Sequence, residues 1–357
     1  MVRPGWTRAG RRAGPDRLAL RTAPESGSAD QIWCRACHYE AMPSPRLQWT
    51  VAGCVAGWAT ARLTAADRFR PLERVAVPLL SLTPQAAAAA WLAALALRSR
   101  RPSATAALAA AALTAVVVPR AIPRRQPAAA GPELTVLTVN LQYGRAAGDG
   151  LVRLVRRIGA DVLFVQELTG DAVTRLKLAG LGELLPNEML DVEEYRYRGS
   201  GIYARYPLRD GLVIGPSYAS QPTARLDLPS GQCVQLVCVH PHPPMPPWNL
   251  PSAPRWRAEL SALPPAGNPP VVLAGDFNAT ADHAQFRRLL RLGHVDAASQ
   301  VGRGLVPTWG PEPRGRPALL AFDHVLVDPR CAVLGTSVHR VPGSDHKALC
   351  AKFRLPS

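Results

Sequence analysis

The hydrophobic pattern divides the chain into two parts of different character. Between residues 47 and 119 the apolar positions are continuous rather than periodic. Three windows carry no charge: 47–61 (LQWTVAGCVAGWATA), 75–97 (VAVPLLSLTPQAAAAAWLAALAL) and 102–119 (PSATAALAAAALTAVVVP). Runs of this length, closed by arginines, predict helices that cross a membrane. The first window reaches spanning length only if Arg62 snorkels to the interface. Pro78 and Pro84 predict a kink in the second. Arg98, Arg100 and Arg101 predict a tight hairpin between the second and third. Buried Ala-rich helices of a water-soluble domain are the alternative. Residues 121–132 (AIPRRQPAAAGP) read as a Pro/Ala linker.

From Glu133 the pattern becomes short apolar runs, each meeting a polar residue. Residues 134–139 (LTVLTV) run into Asn140, and 161–165 (DVLFV) into Gln166-Glu167. Residues 235–239 (QLVCV) run into His240, and 271–274 (VVLA) into Gly275-Asp276-Phe277-Asn278. Phe322-Asp323-His324 opens 325–327, and Ser344-Asp345-His346 opens 348–353. Runs this short and continuous predict buried central strands. Helical periodicity appears at 151–158 and 282–292. Mixed strands and helices, with polar residues gathered at one end of a sheet, predict an α/β enzyme.

Composition adjusts this picture in three places. The chain has 357 residues, 47% of them hydrophobic and 19% charged, which excludes a disordered protein. The net charge of +16 suggests nucleic-acid binding until it is located. Residues 1–132 hold 18 Arg against 6 acids, whereas 133–357 hold 24 Lys and Arg against 20 acids. Most of the excess therefore belongs to the apolar third, and only +4 to the α/β part. Seven cysteines are too few for a disulfide-built scaffold. Cys34-Arg-Ala-Cys37-His38 matches the C-x-x-C-H haem-attachment spacing, but its irregular, Arg-rich surroundings favour a chance match. Met42, just ahead of the first apolar window, is a candidate true start, leaving 1–45 as a basic irregular segment. Arginines before the first window favour an inside N-terminus. Three spans then put the C-terminal part outside, although Arg68, Arg70, Arg74, Arg120, Arg124 and Arg125 would share that side.

The polar strand ends, taken together, resemble the endonuclease/exonuclease/phosphatase superfamily. The resemblance rests on Asn140, Gln166-Glu167, Ser200-Gly201-Ile202-Tyr203-Ala204-Arg205-Tyr206-Pro207-Leu208, His240, Gly275-Asp276-Phe277-Asn278-Ala279, Phe322-Asp323-His324 and Ser344-Asp345-His346. It implies a four-layer α/β sandwich over residues 133–355, two packed mixed sheets flanked by helices. The N-terminal portion is similar to the helical anchor of actinobacterial relatives. The implied activity is hydrolysis of a phosphoester by in-line attack of water, with Mg²⁺ or Mn²⁺ as cofactor.

Such chemistry needs a hard cation, an oriented water, and donors for phosphoryl charge. Glu167 is the best candidate ligand, and the resemblance makes it the family's metal glutamate. Asn140 stands beside metal or phosphate, and Asp345 is a possible further ligand. Asp276 holds and deprotonates the water. Asn278, two residues on along an extended segment, would orient that water or the phosphate. His346 donates to a phosphoryl oxygen, with Asp323 keeping it cationic. His240 is a second phosphate donor or leaving-group acid, with Glu193 or Glu194 as possible partners.

Any one of these residues alone reads as a turn or helix cap; together they read as a site. His242, His283, His294 and His339 match no motif, and His324 has no assigned role. Arg145 and Arg225 read as surface residues that a substrate phosphate might reach. The Pro-rich segment 240–254, with Trp248 and with Trp256 just beyond it, flanks the cleft or is a rigid loop. Substrates compatible with the reading are phospholipid headgroups, nucleic acid and inositol phosphates, with membrane lipid as a partner and no protein partner implied. The alternative is an inactive family member serving as a binding or scaffold module.

Overall fold

The computed structural model describes residues 44–192, 198–215, 217–244, 252–310 and 317–357. The Cys34–His38 motif, Met42, Glu193, Glu194 and Trp248 lie outside these. Residues 45–357 form one compact unit.

That unit opens with helices α1 (Pro45–Leu63), α2 (Arg70–Leu80), α3 (Thr83–Ala96) and α4 (Arg100–Val117). The charge-free windows become α1, α3 and α4, which pack together through small side chains. Ala59, Ala87 and Ala109 meet Leu113 at the centre, and Ala52, Ala90, Ala106 and Ala110 are also buried. Large side chains such as Trp91, Leu92, Leu95 and Leu108 point outward. The kink foreseen within 75–97 is a break: α2 and α3 meet at 76°. Arg100–Ala121 is long and apolar enough to cross a membrane, and the α2–α3 pair passes the same test as a bent unit.

The remainder contains twelve strands: β1 (Glu133–Asn140), β2 (Val162–Gln166), β3 (Asn187–Asp191), β4 (Ser200–Ala204), β5 (Leu208–Val213), β6 (Pro222–Asp227), β7 (Cys233–Val239), β8 (Val271–Asp276), β9 (Val295–Asp296), β10 (Asp323–Val327), β11 (Ala332–Arg340) and β12 (Lys347–Arg354). They form two six-stranded sheets, ordered β11-β12-β1-β2-β4-β3 and β5-β6-β7-β8-β10-β9. Each sheet has one parallel pair, β1–β2 and β7–β8, among antiparallel neighbours. Inward residues of the two sheets (Leu134, Val136, Phe164, Leu236, Val272, Val325 and Phe353 among them) make the central core.

Helices α5 (Asp149–Ile158), α6 (Gly170–Leu178) and α7 (Leu181–Leu184) cover the first sheet; α8 (Ser252–Ala262) and α9 (Ala284–Arg291) cover the second. The result is the two-sheet, helix-flanked arrangement the resemblance implies. The strands the pattern foresaw are the buried central ones. Edge strands such as β5 and β11 carry half-exposed, mixed side chains and give no continuous apolar run.

The helical bundle and the sandwich meet at a knuckle, residues 280–284, and at further contacts on α8 and Leu319. Asp282 is fully buried, and both bundle arginines converge on it. Arg62 donates through Nε at 2.7 Å, and Arg120 donates through both Nη atoms at 2.7 and 2.5 Å. Arg62 therefore does not snorkel. It pairs internally, because a guanidinium and a buried carboxylate stabilise each other more than either tolerates isolation. Next in the chain, His283 Nε2 bonds the carbonyl of Val77 on α2 (2.8 Å), and the Ala284 N–H donates to Asp67 (2.6 Å). Val77 itself packs into the apolar layer under α8 and α9. Residues 121–132, expected as a linker, are pinned along the sandwich. Arg124 N–H donates to Gln300 O, Gln126 Oε1 accepts from Val333 N–H, and Gly131 N–H donates to Leu355 O.

Burial pushes the Asp282 carboxyl up, but hydrogen bonds and charge from Arg120 and Arg62 outweigh it and hold the group below its ordinary 3.8. Its stabilisation is thus complete above 3.8 and declines as acid carries the pH through the lower folded value. Asp282→Ala leaves two buried guanidinium groups unpaired and is expected to cost about 3–5 kcal/mol. The check is urea unfolding at pH 7 and at successively lower pH, where the gap between wild type and variant should narrow only below pH 3.8.

Candidate active site

Five strand ends meet at one edge of the sandwich. Asn140 closes β1, Glu167 follows β2, His240 follows β7, Asp276 closes β8, and His346 precedes β12. Asp323, the first residue of β10, sits directly across the antiparallel ladder from Asp276. Gly275 is required by this pairing. Its φ is 157°, and a Cβ there would overlap the Val239 carbonyl oxygen on neighbouring β7. Two further turns are held in left-handed conformations by non-glycine residues, Glu167 at φ 54° and Asn278 at φ 47°. Strain of this kind persists only where surrounding bonds impose it.

Those bonds define the site. The Asn140 side-chain amide donates to Glu167 Oε1 at 3.0 Å and to Asp276 Oδ2 at 3.1 Å. One NH₂ group thus joins carboxylates from two different sheets. The Asn140 oxygen accepts the Gln142 N–H at 2.9 Å, and the Tyr143 N–H donates to Glu167 Oε2 at 2.8 Å. Across the cleft, Asp323 Oδ2 bonds His346 Nδ1 at 2.8 Å, while His346 Nε2 lies 3.5 Å from Asp276 Oδ2.

The electrostatics follow from burial. Desolvation pushes both Glu167 and Asp276 above ordinary carboxylate values, although His346 and nearby N–H donors oppose it. Burial alone would strip the proton from His346. The charges of Asp323 and Asp276, with the Asp323 hydrogen bond, reverse this and raise it to about 10. That direction favours the protonated ring, a hydrogen-bond donor through Nε2. Ligand-type atoms of Asp276, Asp323 and His346 also lie within 4.8 Å of one another, close enough to hold a metal ion. Glu167, bonded to the Asn140 amide, and Asp345, whose charge acts on Glu167, add carboxylate oxygens of the kind a divalent cation takes. Two desolvated carboxylates sharing one neutral amide fit such a cation, because a positive charge there relieves their burial cost.

Asp345 is fixed by Trp309, whose Nε1 donates to Oδ2 at 3.0 Å and whose ring stacks on Phe322. Its charge acts on Glu167, Tyr143 and His346 alike, which puts it in the same field. His240 is buried, and burial lowers its pKa, so it is neutral. Its backbone N–H faces Gln221 Oε1 at 3.4 Å, and its Nδ1 has no hydrogen-bond partner among the described residues.

One expectation needs correction. The segment after Asp276 is not extended, because Asn278 turns left-handed. Its N–H donates to Asp276 Oδ1 at 2.8 Å, and its side-chain amide to the Pro241 carbonyl at 3.1 Å. Asn278 therefore orients the carboxylate and ties the His240 loop to it. His324, without a role in the sequence, braces the same turn by bonding the carbonyls of Ala279 and Ala321. Arg225 pairs with Asp210 and Asp227 at the surface. Arg145 lies over the Tyr143 ring. Trp256 is a core residue of α8 that bonds the Phe277 carbonyl.

Sequence reasoning missed the small hydroxyls. Ser344 Oγ donates to the Asn140 carbonyl and accepts the His346 N–H, and Thr308 Oγ1 accepts the N–H groups of Phe322 and Asp323. Ser344 could have been found as part of Ser344-Asp345-His346. Thr308 carries no local signal.

Residues 137–346 match the Endonuclease/Exonuclease/phosphatase family, and the chain belongs to it. Members of that family are typically metal-dependent hydrolases of phosphoester bonds. No curated protein sequence matches the chain. Among solved structures it is similar to an endonuclease/exonuclease/phosphatase from Beutenbergia cavernae (19% identity, TM-score 0.49, covering 63% of this chain and 72% of that one). It is also similar to D. rerio TDP2 complexed with a single-strand DNA product (19% identity, TM-score 0.49, 62% and 99%). A family protein from Bacteroides vulgatus matches at 14% identity and TM-score 0.47, covering 63% and 99%.

Asp323→Asn removes the charge that keeps His346 protonated and is expected to lower kcat by about 10²-fold or more. Steady-state phosphodiester hydrolysis, with the melting temperature measured alongside, checks this; unchanged kcat would detach His346 from the reaction.

Proposed function

We propose that the chain is a membrane-tethered, Mg²⁺- or Mn²⁺-dependent phosphodiesterase that cleaves its substrate by in-line attack of water. The observation that carries the reaction is the Asn140 amide joining Glu167 to Asp276 beside the Asp323–His346 pair. A cation held by Glu167, Asn140 and Asp345 would neutralise phosphoryl charge. Asp276, ionised against the His346 imidazolium, accepts the proton of the attacking water. Asn278 N–H and the Asn140 amide fix the rotation of that carboxylate, so one oxygen faces the nucleophile. His346, held through Nδ1, presents Nε2–H to a phosphoryl oxygen. Neutral His240 has one N–H to offer the phosphate or the leaving group.

The tether reading rests on the inverted packing of α1, α3 and α4. Fourteen of the twenty-one exposed large apolar residues among those described lie within 47–122. Alanines inside and leucines or tryptophans outside suit lipid-facing helices, where small residues allow close approach. In this reading α4 (about 27 Å) crosses the bilayer, α3 crosses it as one bent unit with α2, and α1 (about 28 Å) crosses with its end closed by the Arg62–Asp282 pair and not by a snorkelling side chain. The sandwich then sits opposite the N-terminus, outside the cytoplasm. The arginines that would share its side are partly neutralised: Arg62 and Arg120 by Asp282, and Arg257 pairs with Glu73 of α2. Bundle contacts fall on the knuckle after Asn278 and on Leu319, whose carbonyl accepts from Gln85. These two contacts lie near the catalytic edge and that of Glu73 with Arg257 on α8 lies on the flank; in this reading the cleft opens toward the bilayer. That favours a lipid-borne phosphodiester over nucleic acid or a soluble inositol phosphate.

The full chain, purified in detergent, is to be assayed with sphingomyelin, glycerophospholipids, DNA, RNA, inositol phosphates and a chromogenic phosphodiester. Chelation should abolish turnover and Mg²⁺ restore it, and Asp276→Asn should lose about 10²- to 10⁴-fold while melting unchanged. Full activity in Asp276→Asn would overturn the mechanism, and turnover of nucleic acid alone would overturn the lipid assignment. A reporter fused after Ser357 is expected to read as extracytoplasmic; a cytoplasmic signal removes the three-span topology.

A further inference from the structure

A second site lies where the bundle meets the sandwich. A cavity of about 340 Å³ opens between the end of α4 and the outer face of α9. This is within the range of small-ligand pockets. Four arginines line it: Arg62, Arg120, Arg124 and Arg287. Three of them converge on a single acidic residue. Arg62 and Arg120 take the Asp282 carboxylate, and Arg287 Nη1 donates to the Asp282 backbone carbonyl. The other lining acid, Asp296, already holds Ser299 and His324. Asp67, which also acts on Arg287, accepts the Ala284 N–H. Positive charge is in excess.

The hydrogen-bond inventory points the same way. Arg62 reaches Asp282 through Nε, and its two Nη groups bond nothing among the described residues. Arg287 uses Nη1 alone, and the exposed Arg124 side chain makes no hydrogen bond there. Burial, with the charges of Arg62 and Arg120 added to it and those of Asp67 and Asp282 opposing, pushes Arg287 down to about 10.

We infer that this cavity binds a phosphate group. Arginines left with unused N–H groups after the Asp282 pairing, lining one space, match a tetrahedral oxyanion. Apolar side chains line it as well: Val116, Pro119, Phe286 and Leu290, from the same elements as Arg120 and Arg287. Such a lining accommodates the glycerol and first acyl carbons of an anionic phospholipid, and the cavity lies at the end of the helix that is long enough to span a bilayer. Inorganic phosphate offers the same chemistry without the carbon. The site is separate from the hydrolytic cleft and does not depend on the reaction proposed for it.

The test uses the full chain in an uncharged maltoside micelle with chelator present. Binding of short-chain phosphatidylglycerol, inorganic phosphate and short-chain diacylglycerol is read by native mass spectrometry and thermal shift. The variants are Arg287→Gln, Arg124→Gln and their double. Arg291→Gln, an exposed arginine on the same helix outside the cavity, is the control. Arg124 is exposed, so its variant keeps the fold if Arg287→Gln does not. The inference expects saturable binding of phosphatidylglycerol, weakened at least tenfold in the double variant or in Arg124→Gln, and unchanged in Arg291→Gln. Competition by inorganic phosphate identifies a general phosphate site, and its failure to compete identifies a lipid site. Equal affinity in wild type and Arg124→Gln and double variants, or diacylglycerol binding as tightly as phosphatidylglycerol, overturns the inference.

Discussion

A buried carboxylate between two arginines decides how this protein is put together. Asp282 is fully enclosed, and no ionised carboxylate is tolerated in such a place without opposite charge around it. Arg62 arrives from the end of α1 and Arg120 from beyond α4, 220 and 162 residues away in the chain. The contact therefore fixes the direction in which the bundle leaves the sandwich. Asp282 stands four residues beyond Asn278, and its N–H donates to Thr280 in the stretch between. His324 and His283 brace the same stretch from two other sides. The helical bundle and the hydrolytic cleft are one mechanical object.

Inside the cleft the same logic runs at smaller scale. Glu167 and Asp276 come from different sheets, and their mutual repulsion would drive the sheet ends apart. A single neutral amide, Asn140, spans them, and a single imidazolium, His346, offsets part of their charge. The remaining negative field is concentrated on the Glu167 side, where Asp345 adds to it. In the proposed mechanism this field places the cation on the Glu167 side and the proton acceptor at Asp276, a division of labour that follows from where His346 sits.

Much of this was legible in the chain, and what was not has physical reasons. The central strands announced themselves because both faces are buried, so each reads as an unbroken apolar run ending in a polar residue. Edge strands alternate between solvent and core and did not. Asp276, Asp323, His346, Glu167 and Asn140 were found because each sits at a strand end, where sequence order and spatial convergence coincide. The conformation of Asn278 was not, since a left-handed turn leaves no mark distinguishing it from an extended step. Thr308 was invisible because one hydroxyl accepting two backbone N–H groups looks like any loop threonine. Asp282 read as an ordinary residue at a helix start, and Arg62 as a snorkelling terminus, because each is explained by its partner and the partner lies far away in sequence.

The bundle shows why local reading also misjudges charge. Arginines that follow apolar helices are counted as free when orientation in a membrane is argued from sequence. Here Arg62 and Arg120 are enclosed and paired, and Glu73 of α2 is paired with Arg257 of α8. The charges left unpaired around the knuckle are those that face a cavity, Arg287 and the Nη groups of Arg62, with Arg124 at its mouth. Of the roughly four lone-pair sites on the Asp282 carboxylate, Arg120 takes two hydrogen bonds and Arg62 one through Nε, while Arg287 donates to the backbone carbonyl of the same residue. The clamp on Asp282 and the basic cavity beside it thus draw on the same arginines, which outnumber the acid they surround.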